Sequence, residues 1–434
     1  MPLTEAENTD SQFLFDLNGR VRNLGLPANP ANSLVPLFEA VSNAIHAMEV
    51  RWGEDVVRSG EVTIEVHRRT EEEESHVVGF TVTDNGIGLS EDHWRSFRTS
   101  DSPAKLTRGG KGVGRLSWLK AFRECRIVSR FDDDRVLMER SFTFSLKAAN
   151  PVQDHKLAPA PSDARQGTEV RLGPFESNYE VHCPKKTATI AAKLVGHFLP
   201  YLVVARAPRI TLIDGAELVD LRAYYAENQA RNSVDIVNLA VDVLTGPQEF
   251  HIYHTLLKKQ LKFVENGLHW MFYAGNERVA RQDCIDGQLG LKYVGDDEGC
   301  VYVGLVAGPF LDSHVNQERT SFTFDADTQS EIHKAAIASS KMFLSDFIDR
   351  VRARQVEVTG RVIRENPQFL PFLDSLPTFV ADNFSLSTQN EEEIYVELSR
   401  RKLRLKRRID GQLRSIQNNT SESVEADVQQ VTKA

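Results

Sequence analysis

Apolar positions set out the chain before any motif does. Leu37, Val41, Ala44, Ile45 and Met48 recur at helical spacing and predict an amphipathic helix over 34–48. The run Val77-Val78-Gly79-Phe80-Thr81-Val82-Thr83 predicts a strand that ends at Asp84, and 62–66 alternates in the same way. Residues 125–129 and 135–139 read as two strands joined across Asp132-Asp133-Asp134. Consecutive carboxylates at a turn point in different directions, so that triplet reads as a hairpin turn and not as a metal site. Residues 167–172 predict another strand, whereas 51–60 and 147–166 lack a period and read as loops. An apolar helix pattern over 187–207 follows, then strand patterns at 210–213, 249–254, 269–273 and 301–306. His251 and His254 are three apart on one of these, so they point to opposite faces and read as strand-surface residues. From 326 onward Ile332, Ala335, Ala336, Met342, Phe343, Phe347 and Val351 keep near-helical spacing, interrupted at Pro367, Pro371 and Pro377. The whole reads as an α+β chain with a helical C-terminal region.

Composition narrows the class. At 434 residues the chain has room for two or three domains, and 41% hydrophobic with 26% charged residues is ordinary for a globular protein. A net charge of −9 excludes a molecule that is basic throughout, although a local basic patch stays compatible with it. No apolar run approaches the length of a membrane span, and 1–7 lack the basic and apolar regions of a signal peptide. Cys125, Cys183, Cys284 and Cys300 are scattered without a Cys-x-x-Cys pair, which fits free thiols in a reducing compartment. The expected location is cytoplasmic.

Four stretches could carry chemistry. Asp84-Asn85-Gly86-Ile87-Gly88 closes a strand with one carboxylate and two spaced glycines. A simple turn fits it, and so does a carboxylate on the floor of a pocket that a flat ligand approaches along bare backbone. Glu39 and Asn43 are four apart and share a helical face. They suit a solvated face, or a general base for water beside a ligand for a hard cation. Gly109-Gly110-Lys111-Gly112-Val113-Gly114 runs into an apolar helical segment, as a flexible linker or as backbone N–H groups offered to phosphate. It is not a P-loop, because Gly follows Lys111, and no βαβ unit with a later acidic residue supports a dinucleotide fold. Gly167-Thr168 opens the fourth, a strand.

Taken in order, Glu-x-x-Ser-Asn-Ala, Asp-x-Gly-x-Gly, Gly-x-x-Gly-x-Gly and Gly-Thr resemble the motifs of the GHKL, or Bergerat-fold, ATP-binding domain. That superfamily takes in DNA gyrase B, the large heat-shock chaperones, histidine kinases, MutL mismatch-repair proteins and MORC ATPases. The resemblance implies an α/β sandwich over 12–180 and a transducer-like α/β domain over 187–325. A helical region over 326–416 and a polar tail over 417–434 follow. It implies ATP and Mg²⁺ as ligands. Asn43 would hold the metal, Asp84 the adenine amino group, and Gly86 and Gly88 the adenine-side backbone. Gly110, Lys111, Gly112, Val113 and Gly114 would cradle phosphates, with Lys105 reaching in from a lid over 90–108. Thr168 would join the adenine-side hydrogen bonds and Glu39 would polarise the attacking water. Histidine kinases commonly carry Asn where Glu39 stands, so the resemblance points to hydrolysis.

The same resemblance implies an ATP-dependent homodimer acting as a clamp or chaperone-like machine on a protein or DNA client, with Phe13-Leu14-Phe15 as the start of a strand or crossing arm. An ATP-gated DNA clamp with hydrolysis as a timer, and a histidine-kinase-type phosphotransferase, are the other readings. In the lid, Arg95, Arg98 and Arg108 are cations suited to a triphosphate or to solvent, and Trp94 and Phe97 read as a small core of the lid itself. The stretch 312–319 resembles the chaperone loop whose arginine reaches the γ-phosphate, with the order of Glu318 and Arg319 reversed. Arg319 is thus a γ-phosphate sensor or a surface residue. Finally, Glu391-Glu392-Glu393 precedes a basic cluster over 400–408, which suits helix pairing or a nucleic-acid patch.

Overall fold

The computed structural model describes residues 17–70, 74–99, 114–148, 150–230, 234–259, 261, 268–275, 278–294, 299–316, 321–372 and 375–418. Two sheets and a helical C-terminal region make up an α+β architecture. The first sheet contains β1 (Glu61–Arg68), β2 (Val77–Asp84), β3 (Cys125–Asp133), β4 (Val136–Phe144), β5 (Val152–Pro159), β6 (Gly167–Leu172), β7 (Arg209–Asp214) and β8 (Glu217–Asp220). Its order is β5-β4-β3-β6-β2-β1-β7-β8, antiparallel except where β1 runs parallel to β7. The second sheet contains β9 (Asp235–Val243), β10 (Gly246–Lys258), β11 (Trp270–Gly275), β12 (Arg278–Cys284) and β13 (Cys300–Ala307), in the order β12-β11-β13-β10-β9.

The helix Val35–Trp52 opens with Pro36 at its first turn and stops where Gly53 takes a positive φ of 52°. Its apolar face packs Leu37, Val41, Ile45 and Met48 into a core with Phe80 and Val82 of β2. Each such side chain contributes about 1.5–3 kcal/mol by leaving water. That core continues into Phe272, Val303 and Leu305 of the second sheet. A second cluster joins Ile252, Met271, Tyr302 and Val306 of that sheet to Ile332 and Ala336 of the helix Ala326–Phe343. A third lies among the C-terminal helices Ser345–Glu365, Leu376–Asn383 and Glu391–Asn418, around Val362, Val380, Ile394 and Leu398.

Several sequence expectations change. Residues 51–60 are helical at both ends, because the Glu39 helix runs on to Trp52 and Val56–Ser59 makes a further turn. Within the expected loop 147–166 lies β5, an edge strand whose outward positions are nearly all exposed, so it has no apolar alternation to announce it. The β3–β4 hairpin turns at Asp134 and Arg135, both at positive φ, with Asp132 Oδ1 accepting from Arg135 N at 2.9 Å. Strands β7 and β8, at 209–220, belong to the first sheet although they follow residue 187. His254 is fully buried rather than on a strand surface. Its Nδ1 meets Tyr302 Oη at 2.6 Å and its Nε2 meets Ser339 Oγ at 3.0 Å, which offsets the cost of its place beneath the helix Ala326–Phe343. No helix among the described residues is long and apolar enough to cross a membrane.

Candidate functional site

One helix carries the site. Glu39, Asn43, Ala47 and Arg51 are spaced four apart on Val35–Trp52 and form a single ridge along its surface. Each meets a different part of the surrounding chain.

At the N-terminal end of the ridge, Asn43 Nδ2 donates to Glu39 Oε1 at 3.2 Å. A Cβ built on Gly114 would meet the end of the Glu39 side chain, so a larger residue here would displace that carboxylate. Immediately after, the helix Leu116–Ala121 is tied back when Trp118 Nε1 donates to Pro36 O at 3.1 Å. Arg115 Nη2 donates to Thr99 O at 3.0 Å, just beyond the helix Glu91–Arg98.

Further along, the Asp84 loop sits on Ala47 and Arg51. Ile87 N donates to Ala47 O at 3.1 Å, and the Gly86 backbone approaches the Ala47 Cβ. Arg51 Nη1 donates to Asn85 O at 2.6 Å, to Gln166 O at 3.2 Å and to Gly86 O at 3.4 Å. One guanidinium thereby joins the loop after β2 to the approach to β6. Asn85 pins the same loop to the start of β1, with Nδ2 donating to Ser59 O at 2.7 Å and Oδ1 accepting from Glu61 N at 3.0 Å.

Asp84 ends β2, paired with Val62 on one side and Thr168 on the other. Its Oδ1 accepts from Gly86 N at 2.7 Å and Thr168 N at 3.3 Å. Its Oδ2 has no hydrogen-bond partner among the described residues. Burial pushes the carboxyl up to about 7, against the two backbone N–H groups and the Arg51 charge, which pull it down. Oδ2 is thus the carboxylate oxygen left to accept a further hydrogen bond.

Behind the carboxylate, Thr168 Oγ1 and Ser129 Oγ lie 2.8 Å apart, and the fully buried Ser129 accepts from Leu89 N at 2.8 Å. Gly88 takes φ 78° where a Cβ would strike Arg130 O, so the loop lies flat against β3. Beyond Leu89 the nearly inaccessible Arg140 donates Nε–H to Leu89 O at 3.2 Å and pairs with Glu91. Its guanidinium lies 4.7 Å from the Trp94 ring centroid. Trp94 also stacks on Phe97 and reaches Phe142 at 4.9 Å between centroids. The two aromatics therefore pack onto β4 and the main sheet, not into a core of the lid's own. Arg95 pairs with Asp92 at 3.5 Å, and Arg98 lies over Trp94.

The structure thus brings Glu39, Asn43 and Gly114 together at one end of the ridge, and gathers Asp84, Gly86, Gly88 and Thr168 at the other. Lys105, Arg108, Gly110, Lys111, Gly112, Val113 and Arg319, together with Phe13-Leu14-Phe15, lie outside the described residues. Sequence patterning does not single out Arg51, Ser129 or Arg140. Their partners are distant in the chain, and nothing local distinguishes them. No group of three or more His, Cys, Asp or Glu side chains able to hold a metal occurs among the described residues.

No protein-family model and no curated protein matches the chain. Among solved structures, the crystal structure of the N-terminal domain of a DNA repair protein is similar at 12% identity and a TM-score of 0.44, covering 73% of this chain and 93% of that one.

Proposed function

We propose that the chain is a Mg²⁺-dependent ATPase of the GHKL type, with the Bergerat-fold domain built on the first sheet. The observation that carries the reading is the Asp84 carboxylate. One oxygen is held by two backbone N–H groups and the other is left as an acceptor. It stands on the same helical ridge as the Glu39–Asn43 pair. An exocyclic amine on a flat base suits Asp84 Oδ2, with Gly86 and Gly88 keeping side chains out of its way.

The donor set fits a magnesium nucleotide. Mg²⁺ is commonly held by one or two protein oxygens, with phosphates and waters completing its shell. The Asn43 side-chain oxygen can serve as such a ligand, and no cluster of carboxylates is needed. When bound, the ion neutralises charge that develops on the phosphate oxygens. Asn43 occupies Glu39 Oε1 through its amide, which leaves Oε2 to orient a water and accept its proton. The water oxygen bonds to the γ-phosphorus as the bond to the bridging oxygen breaks, giving ADP and phosphate. Gly114 lets the phosphate loop lie directly against that carboxylate. In this reading the segment 90–108 closes over the nucleotide, and closure favours pairing of two N-terminal domains in a clamp or chaperone-like cycle.

The test is nucleotide affinity. Titration with a fluorescent ATP analogue should show saturable, Mg²⁺-dependent binding that ATP displaces and GTP does not, and that Asp84→Asn abolishes. Retained affinity in that variant removes Asp84 from the base pocket.

A further inference from the structure

We infer that residues 400–414 of the helix Glu391–Asn418 are a docking face for double-stranded DNA. Residues 400–414 contain eight cations, six of them arginine, against a single acid, Asp410, in a chain whose net charge is −9. Every position from Arg400 to Arg414 is exposed or half-exposed. The helix is anchored upstream, where Ile394 and Leu398 are buried in the C-terminal cluster.

The acidic block at the start of the helix does not neutralise this charge. Glu391 pairs with Arg361 at 2.9 Å, and Glu397 reaches only Arg400, at 3.3 Å. Arg401 turns back to Asn383 and over Phe379, and Lys402 lies over Phe369. Arg404, Lys406, Arg407, Arg408 and Arg414 have no ion pair among the described residues. Helix pairing within the chain therefore does not account for the cluster.

Geometry selects the partner. At about 100° per residue, Arg400, Arg404, Arg407, Arg408 and Arg414 fall within an arc of about 120°, and they extend over about 21 Å of helix. Such a row calls for a polyanion with charge spaced evenly over that length, as duplex DNA has, with one phosphate for about every 1.7 Å of axis. A second copy of the same helix would bring like charge against it. No aromatic residue occurs in 400–414, so unpaired bases would find no stacking platform. An isolated helix fits the wide major groove of B-form DNA but not the deep, narrow one of duplex RNA.

This inference does not depend on the nucleotide site, and its experiment uses the full chain without ATP. Anisotropy of a fluorescein-labelled DNA duplex is followed across a salt series for wild type, for R400Q/R404Q/R407Q/R408Q and for the matching four-Lys variant. Wild type should bind, with log K falling steeply against log salt. The Gln variant should weaken binding at least tenfold and flatten the slope by about 3 to 4, close to one unit for each phosphate no longer neutralised. The Lys variant keeps the charge and should keep the slope, which covers the case in which the Gln variant fails to fold. An unchanged slope in a folded Gln variant overturns the proposal. So does tighter binding of single-stranded DNA or duplex RNA, or equal competition by polyglutamate at matched charge, which would mark an acidic protein as the partner.

Discussion

The Glu39 carboxylate fills the space that a side chain on Gly114 would need. Gly114 and the acidic residue on the helix, 75 residues apart in the chain, are thereby neighbours. Gly114→Ala should consequently act through Glu39. The carboxylate is the end of a flexible side chain, so Gly114→Ala should displace it at little cost in stability and depress ATP turnover. In a Glu39→Ala background the same change should have little further effect on turnover, because the carboxylate it would displace is gone. ATP turnover of the four proteins in this cycle measures the coupling; additive effects would show that the two residues do not meet.

Asp84 gives pH dependence with a definite sign. Its carboxyl sits at about 7 in the fold against an ordinary value of 3.8. The folded state therefore holds the extra proton between these values, and stability falls as pH rises from about 4 to 7. An exocyclic amine donates to the ionised form, so nucleotide affinity should rise across pH 6 to 8. Asp84→Asn keeps an oxygen for the Gly86 and Thr168 N–H groups and loses the buried charge. It should be more stable than wild type at pH 8 and bind no nucleotide. Calorimetric titration across pH, paired with melting curves, checks both halves; pH-independent affinity would contradict the role given to Asp84.

His254 contributes in the opposite direction. Burial pushes its imidazole down to about 4 from 6.5. The unfolded chain then binds the proton first as pH falls, and stability is lost between about 6.5 and 4. In wild type this loss is offset by Asp84. Asp84→Asn should therefore be visibly more acid-labile than wild type over that window, and adding His254→Gln should reduce the difference. Melting temperatures at pH 4.5, 5.5 and 6.5 measure it.

Ser129 and Arg51 hold the loop that follows Asp84, through Leu89 N and through Asn85 O and Gly86 O. Ser129→Ala leaves Leu89 N without its acceptor in a buried place, at a cost of about 1–3 kcal/mol, and should weaken nucleotide binding with little change in its pH profile. Arg51→Met removes three hydrogen bonds to carbonyls together with a charge that holds the Asp84 carboxyl down. It should weaken binding and also move the pH midpoint of affinity upward. Equal shifts of midpoint in both variants would contradict the distinction.

Much of this arrangement is legible in the chain because it is periodic. The alternation of 77–83 gives β2 and places Asp84 at its end, and the four-residue spacing of Glu39 and Asn43 puts them side by side. The continuation of that ridge to Ala47 and Arg51 is equally available as spacing. Its meaning is not, because it depends on where the Asp84 loop and Gln166 land, 34 and 115 residues away from Arg51. Strand β5 escapes for a different reason: an exposed edge strand needs no apolar face. His254 escapes because a buried polar network satisfies it, and sequence spacing carries no mark of that.

The most direct test of the ATPase assignment is ATP turnover by wild type and Glu39→Ala, each followed by size-exclusion light scattering with ATP and Mg²⁺. Wild type should hydrolyse ATP. Glu39→Ala should bind it, turn over at least about a hundredfold more slowly and accumulate as a dimer. Normal turnover by Glu39→Ala would remove Glu39 as the base. Absence of both hydrolysis and ATP binding in wild type would contradict the ATPase assignment itself.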